Sequence, residues 1–403
     1  MNIQIFGTKK CNDTKKAERF FKERGIKYQF IDMKEKGMSK GEFTSVAQVN
    51  GGLENMINWE GRDKDTLALI KYISDEDKLT KVLENPQVIK TPHLFCQYLF
   101  FRQWFALKRY CNGLGIRLFG DMPIYVAEDS ADTWTHPEAF QLDGEGVPKR
   151  VAGVPPDFFS ADGQLWGNPL CRWFSLRLHG YGWWVERMAA MAKMYDIVRI
   201  DHFIGFANYY SVPQGAPNAR TGKWIIGPGK SLFRTLEKKI PGLNIVAEDL
   251  GCVNDRVRRL LTAVGYPGMR VLSFGFGGGE DNPHLPANYV TNSVVYTGTH
   301  DNDTVRGWID TADDAALAQA RQLLGFDKPE DGPGAFVHAM LASRADTAMI
   351  PMQDVLGLGG WARMNRPGTI GNNWLWRMAP GAATPELAQR LRRENEATNR
   401  RMD

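Results

Sequence analysis

The chain has 403 residues, 43% of them hydrophobic and 24% charged, with a formal net charge of +4. That length and balance describe a globular protein of two or three domains able to bury a large core, and they exclude the disordered and fibrous classes. The small, dispersed basic excess leaves no footprint for nucleic acid or a membrane surface.

No run approaches the ~20 consecutive apolar residues that span a bilayer. The opening MNIQIFGTKKC lacks the order of a signal peptide, so a cytoplasmic location is expected. Cys11, Cys96, Cys111, Cys171 and Cys252 are scattered without paired spacing, which predicts neither a disulfide framework nor a zinc site. No cofactor or metal is implied.

In chain order, IQIFG reads as a strand, TKKCNDT as a polar loop, KKAERFFKERG as a helix stopped by Gly25, and KYQFIDM as a second strand. Cys11 thus precedes a helix. The positive helix end and Lys9, Lys10, Lys15 and Lys16 would lower its pKa and make it a thiolate nucleophile; an ordinary thiol in a basic loop is the alternative. Through CNDTKKAERFFKERGI and NPQVIKTP, residues 1–92 resemble the arsenate reductase and Spx-like branch of the thioredoxin fold. The resemblance implies a thiol redox or regulatory module centred on Cys11. It stops at Pro92, before the family's arginine-bearing end, final strand and last helix, so the implied thioredoxin-like α/β domain is truncated.

The composition changes near Pro92. Residues 1–92 hold 14 Lys and 3 Arg, residues 93–403 hold 8 Lys and 25 Arg, and eleven of the twelve Trp follow the break. No Gly/Ser or Pro-rich linker marks it, which suggests a fusion of two segments, 1–92 and 93–403.

Beyond the break, strand-like runs (IRLFGDMPIYV, YDIVRID, NIVAEDLG, MRVLSFGF, SVVYTGTHD, TAMIPMQDVLGLG) alternate with helical stretches such as PGKSLFRTLEKKI and NDRVRRLLTAVG. This is the pattern of a parallel sheet wrapped by helices. Polar groups gather at the carboxyl ends of the runs: Asp121, then Asp201 and His202, Glu248 and Asp249, His300 and Asp301. No GxGxxG follows the first strand, and side chains collected from several strand ends are the (β/α) barrel arrangement. Six strands are counted where eight close the ring, so an incomplete (β/α)8 barrel is expected.

Asp201, Glu248 and Asp301 would then converge on one pocket. Two carboxylates ~5 to 5.5 Å apart serve a retaining glycosidase mechanism, one as nucleophile and one as acid then base. A nearby anion would raise the acid's pKa and keep it protonated near neutrality. Arg199, two residues before Asp201 and on the same strand face, can hydrogen-bond the nucleophile. Taken singly, each carboxylate could be a loop cap or a surface ion pair; three at successive strand ends weaken that reading.

The stretches GDMPIYVAEDSADTW, VAGVPPDFFSADGQLWGNPL, VRIDHFIGF, VAEDLG, YPGMRVLSFGF, VVYTGTHDNDT and PMQDVLGLGGWARMNRPGTIGNNWLWR resemble the amylomaltases, 4-alpha-glucanotransferases related to the alpha-amylase superfamily, over nearly all of residues 93–403. The resemblance implies Asp201 as nucleophile, Glu248 as general acid/base and Asp301 as transition-state stabiliser. It implies substrate-binding roles for Asp121, Arg199 and His300, with Trp166 and Phe274 as aromatic sugar contacts. Maltooligosaccharides, amylose and glucose are the implied partners. Ile204 and Cys171 stand where the family has Arg and Tyr. Two further strand and helix units, an inserted subdomain and a sugar-stacking tyrosine of the family have no counterpart between Pro92 and His93, so poor transfer, or none, is expected.

Overall fold

In the computed structural model the described residues are 3–7, 18–19, 22, 28–32, 40–49, 51–61, 63–85, 88, 91–156, 160–251 and 253–400. The chain forms two compact units, Met1–Ile116 and Arg117–Asp403. The expected join at Pro92 falls inside one helix, Thr91–Gly113.

In the first unit, β1 (Ile3–Gly7) and β2 (Tyr28–Asp32) pair in parallel, with Ile3 opposite Tyr28. Both strands lie where the sequence places them. Short helices follow, among them Lys40–Val49, Lys64–Ile70 and Asp75–Glu84. Asp63 and Ser74 cap the last two, each accepting a backbone N–H three residues on. Their apolar faces meet in a small core of Phe43, Met56, Ile57, Leu67, Ile70 and Val82.

The second unit carries β3 (Phe119–Pro123), β4 (Arg150–Val154), β5 (Gln164–Pro169), β6 (Ile197–Asp201), β7 (Asn208–Pro213), β8 (Lys223–Ile226), β9 (Ile245–Ala247), β10 (Gly268–Val271), β11 (Ser293–Tyr296) and β12 (Thr347–Met349). The six strand-like runs read from the sequence contain β3, β6, β9, β11 and β12 and all but the first residue of β10; these strands form two parallel sheets ordered β3-β6-β9 and β10-β11-β12. Ala247 N–H donates to the Pro267 carbonyl at 2.9 Å, joining the end of the first sheet to the start of the second. Val198, Ile200 and Ala247 are buried with Met122 in the largest core cluster, as expected of parallel strands covered by helices.

The helices Lys230–Lys239 and Asp255–Val264 match the two predicted helical stretches. Asn254 caps the second through the N–H groups of Arg256 and Val257, and Gly265 ends it with φ 70. Two expectations need correction. TAMIPMQDVLGLG is a strand only over β12; Pro351 then opens the short helix Met352–Val355. The run SVVYTGTHD pairs only as far as Tyr296, leaving His300 and Asp301 in the turn beyond.

The sequence reading did not anticipate an antiparallel sheet of order β5-β4-β7-β8. Its strands are short and lack clean alternation, and all but β8 contain Gly or Pro; residues 164–167 of β5 are all exposed. Among the described residues no helix is long and apolar enough to cross a membrane.

Candidate active site

Parallel pairing sets Asp121 on β3 directly opposite Arg199 on β6, and Pro123 opposite Asp201. Arg199 is 6% exposed. Its Nε donates to Asp121 Oδ1 at 3.0 Å and its Nη2 donates to Asp201 Oδ1. Burial works against the guanidinium charge, but Asp121 and Asp201 outweigh it and lift the arginine pKa above its ordinary value. Asp121 sits in the middle of β3, not at its carboxyl end. Its own pKa is raised, first by burial and then by Asp201 and Asp301, with Arg199 and His300 pulling the other way.

Glu248 follows β9 directly and is buried. Two backbone amides hold its carboxyl: His202 N–H on Oε2 and Leu250 N–H on Oε1, both at 2.7 Å. Burial, and after it the charge of Asp201, push its pKa up to about 8 against those amides and Arg199. The neighbouring-anion argument from the sequence therefore names the smaller cause; desolvation is the larger. Asp249, the next residue, faces a different partner set. It accepts from Met269 N–H at 2.6 Å and from Arg270 Nη1 at 3.1 Å, tying the end of β9 to β10.

His300 and Asp301 are shaped by a turn in which Asn302 Oδ1 accepts from Thr299 N–H at 2.8 Å. Asn365 Nδ2 donates to Asp301 Oδ1 at 2.6 Å, and Arg363 Nη2 donates to the Asp301 carbonyl at 2.6 Å. Asn365 N–H donates to the His300 carbonyl at 3.1 Å, while the Trp374 ring lies 5.2 Å from the His300 ring. His300 Nε2 is 3.4 Å from Asp301 Oδ2 and 3.9 Å from Asp121 Oδ2. Sequence reasoning missed Asn365 and Arg363, more than 60 positions from the residues they hold, because no periodicity links them.

Asp201, Glu248, Asp301, Trp166, Phe274 and Trp224 share one cleft of about 430 Å³. Asp121 and His300 instead line an adjoining cavity of about 310 Å³, and Arg199 lines both. Trp166 Nε1 donates to Gln164 Oε1 at 3.0 Å, which fixes an indole that is 36% exposed. Phe274 stands after β10, its carbonyl accepting from Asn282 Nδ2 at 2.9 Å. Trp224, on β8, was not singled out from the sequence; its ring packs edge-on against Tyr210 at 5.2 Å. Ile204 lines the cleft as an apolar residue. Cys171 is buried, its thiol pushed up to about 12 by desolvation. Cys11 lies outside the described residues. Among the described residues, no group of three His, Cys, Asp or Glu side chains could hold a metal ion.

A family model described as 4-alpha-glucanotransferase, of the Glyco_hydro_77 family, matches residues 58–383, a span that runs across Pro92. The 4-alpha-glucanotransferase of Thermus thermophilus is 49% identical over 315 residues, covering 76% of this chain and 63% of the relative. The Clostridium butyricum 4-alpha-glucanotransferase is 42% identical over 341 residues, 84% of this chain and 69% of the relative. The chloroplastic/amyloplastic 4-alpha-glucanotransferase of Arabidopsis thaliana is 48% identical over 291 residues, and only 50% of its length is spanned. Among solved structures, the amylomaltase from Streptococcus agalactiae in complex with acarbose superposes with a TM-score of 0.74 at 34% identity, covering 96% of this chain and 74% of that one. The Corynebacterium glutamicum amylomaltase shares the fold, with a TM-score of 0.68 at 17% identity. The fold is thus amylomaltase-like, of the TIM-barrel type. Neither the family model nor these structures carries the thioredoxin-like reading of residues 1–92.

Proposed function

The chain belongs to the 4-alpha-glucanotransferase family, and on that footing we propose that it transfers alpha-1,4-glucan segments to glucose or a maltooligosaccharide by a retaining double displacement. The observation that carries this reading is the shared cleft of Asp201 and Glu248. One carboxylate there is hydrogen-bonded by a guanidinium, and one carboxyl has its pKa pushed up to about 8 by burial.

In the first step an Asp201 oxygen attacks the anomeric carbon of the donor while Glu248 gives its proton to the departing glycosidic oxygen. The C–O bond breaks and a glycosyl ester of Asp201 forms. In the second step Glu248 takes the proton of the acceptor hydroxyl, whose oxygen displaces Asp201 and restores the original configuration. Asp301, oriented by Asn365, accepts hydrogen bonds from hydroxyls of the reacting sugar, and Trp166 and Phe274 offer apolar faces to its rings. Amylose and maltooligosaccharides are the donors. The test is glucose release from maltotriose: the wild-type chain releases it and the Asp201→Asn chain does not.

The six parallel strands are read as an open portion of an eight-stranded barrel. Among the described residues β3 and β12 each pair on one side, and residues 119–121 and Met349 line the same cavity. An unpaired parallel edge leaves backbone donors and acceptors unused. Supplying the family's preceding strand and helix units in the same chain should then raise the rate of glucose release. An unchanged rate sinks this reading of the fold but not the chemistry.

A second reading, thiol-dependent reduction or regulation at Cys11, draws support from the parallel pairing of β1 with β2. It requires alkylation of Cys11 at a pH below the ordinary thiol value of ~8.5.

A further inference from the structure

Among the described non-glycine residues lining the cleft, only His202 has a left-handed backbone, with φ 51 and ψ 44. That conformation is unfavourable for an L-residue with a side chain and persists only where its surroundings impose it. Here it has a readable consequence. In a strand successive amides point to opposite sides, whereas in a left-handed turn they point to the same side. The amides of His202 and Phe203 both donate to Glu248, the first to Oε2 at 2.7 Å and the second to the backbone carbonyl at 3.0 Å.

The ring has a separate task. It is buried, its Nε2 has no hydrogen-bond partner among the described residues, and burial holds its pKa down at about 4, so it stays neutral across the working range. It packs edge-on against the Trp166 indole, with centroids 4.8 Å apart and planes at 86°, and lies 6.3 Å from the Tyr125 ring. A Cβ at position 205 would meet its Cδ2 at 3.1 Å, so Gly205 leaves the ring its space.

We infer that His202 is a positioning residue joining the Trp166 sugar platform to the acid/base Glu248: its left-handed backbone aims the amide at the carboxyl and its ring buttresses the indole. The inference rests on the glucanotransferase reading of the cleft and adds a residue to it. The charged groups facing Glu248 are Asp201, which raises its pKa, and Arg199, which lowers it along with the Leu250 amide; none of these changes in the variants below.

The two tasks separate by substitution. Asn and Gly both tolerate the left-handed region, so His202→Asn and His202→Gly keep the amide on Glu248 and lose only the ring. Each should raise the KM for maltotriose up to about tenfold, the size of one aromatic contact, with the alkaline limb of the kcat/KM profile unmoved. Val is β-branched and strongly disfavours that backbone, so His202→Val should in addition shift the alkaline limb upward by about one pH unit, as expected when a charge-assisted hydrogen bond is lost. Wild-type KM values in the Asn and Gly variants, or a limb displaced equally in all three, would overturn the inference. If the Val variant does not fold, the Asn and Gly pair still decides. If the wild-type chain releases no glucose, the glucanotransferase reading has failed independently. Titration of the Glu248 carboxyl by 13C NMR in the same variants then reads the amide contact directly, and a titration midpoint equal in wild type and His202→Val rejects it.

Discussion

Asp201, Glu248 and Asp301 hang from parallel strands or the turns that follow them, whereas Trp166 and Trp224 stand on β5 and β8, the two outer strands of the antiparallel sheet. The first group is held by directional bonds to charge: a guanidinium on Asp201, two amides on Glu248, an amide side chain on Asp301. The second group is held by ring edges and, for Trp166, by one uncharged hydrogen bond to Gln164, and its indoles are 36% and 41% exposed. Hydrogen bonds to carboxylates fail when an atom moves by a fraction of an ångström, while stacking on a sugar face tolerates such shifts. On the proposed function, the reacting groups therefore sit at the ends of buried ladders and the recognition groups on the exposed outer strands of the antiparallel sheet. Substitutions in the first region should lower kcat, and those in the second should raise KM.

The largest effects are expected at the acids themselves. Glu248→Gln removes the proton donor and should lower transfer from maltotriose by roughly 10²- to 10⁴-fold, with Asp201→Asn at least as severe. Near-wild-type glucose release from either chain would break the division at its root. Next comes Asn365→Ala, which leaves Asp301 in place but unoriented. A displacement of ~1 Å can cost ~100-fold, so kcat should fall by about that factor while KM stays within about twofold. A variant whose KM rises instead would move Asn365 to the recognition side.

The same division decides what could be read from the sequence. β6 and β9 are apolar runs ending in Asp201 and Glu248, so burial and chemistry leave their mark in consecutive residues. Arg199 and Asp201 share a strand face because of the two-residue period, and the hydrogen bond follows from it. Asn365 contacts Asp301 across 64 positions that include several helices and β12, and nothing local encodes the contact. β5 and β8 were missed because exposed outer strands need no apolar alternation, and the buried β4 and β7 because they run only five and six residues without a clean period; the order of the sheet comes from backbone ladders that any residue can make. Trp224 could have been flagged only as a Trp in a four-residue strand, a weak signal in a chain with twelve. The pKa of Glu248 depends on how completely water is excluded, a property of the packed structure.

A middle-sized effect tests the recognition side. Trp166→Ala and Trp224→Ala should each raise the KM for maltotriose by up to about tenfold, the worth of one aromatic contact, and leave kcat within a few-fold. If Trp166→Ala alone moves KM, the β8 edge does not take part in recognition and the sheet serves through β5 only.

The smallest effect concerns stability, and its sign follows from which form the fold prefers. Glu248 has an ordinary pKa of 4.5 and a folded value of about 8, so the native state prefers the protonated form. Its contribution is fully present below pH 4.5 and is lost as pH rises through about 8. His202 works in the opposite direction: with an ordinary value of 6.5 and a folded value of about 4, its contribution is present above pH 6.5 and is lost as pH falls through about 4. Between pH 6.5 and 9, then, Glu248 gives a slope and His202 gives none. Glu248→Gln removes the titrating group, so the Tm of the variant relative to wild type should climb across that range, by a few degrees for a change on the order of a few kcal/mol. The amide lost from one of the two backbone contacts adds a constant offset that does not affect the slope. Because every other titrating group is common to both chains, the difference isolates position 248. A difference in Tm that stays flat from pH 6.5 to 9 would mean that the Glu248 carboxyl is not protonated by burial, and the contrast between a desolvated acid and exposed recognition strands would lose its electrostatic half.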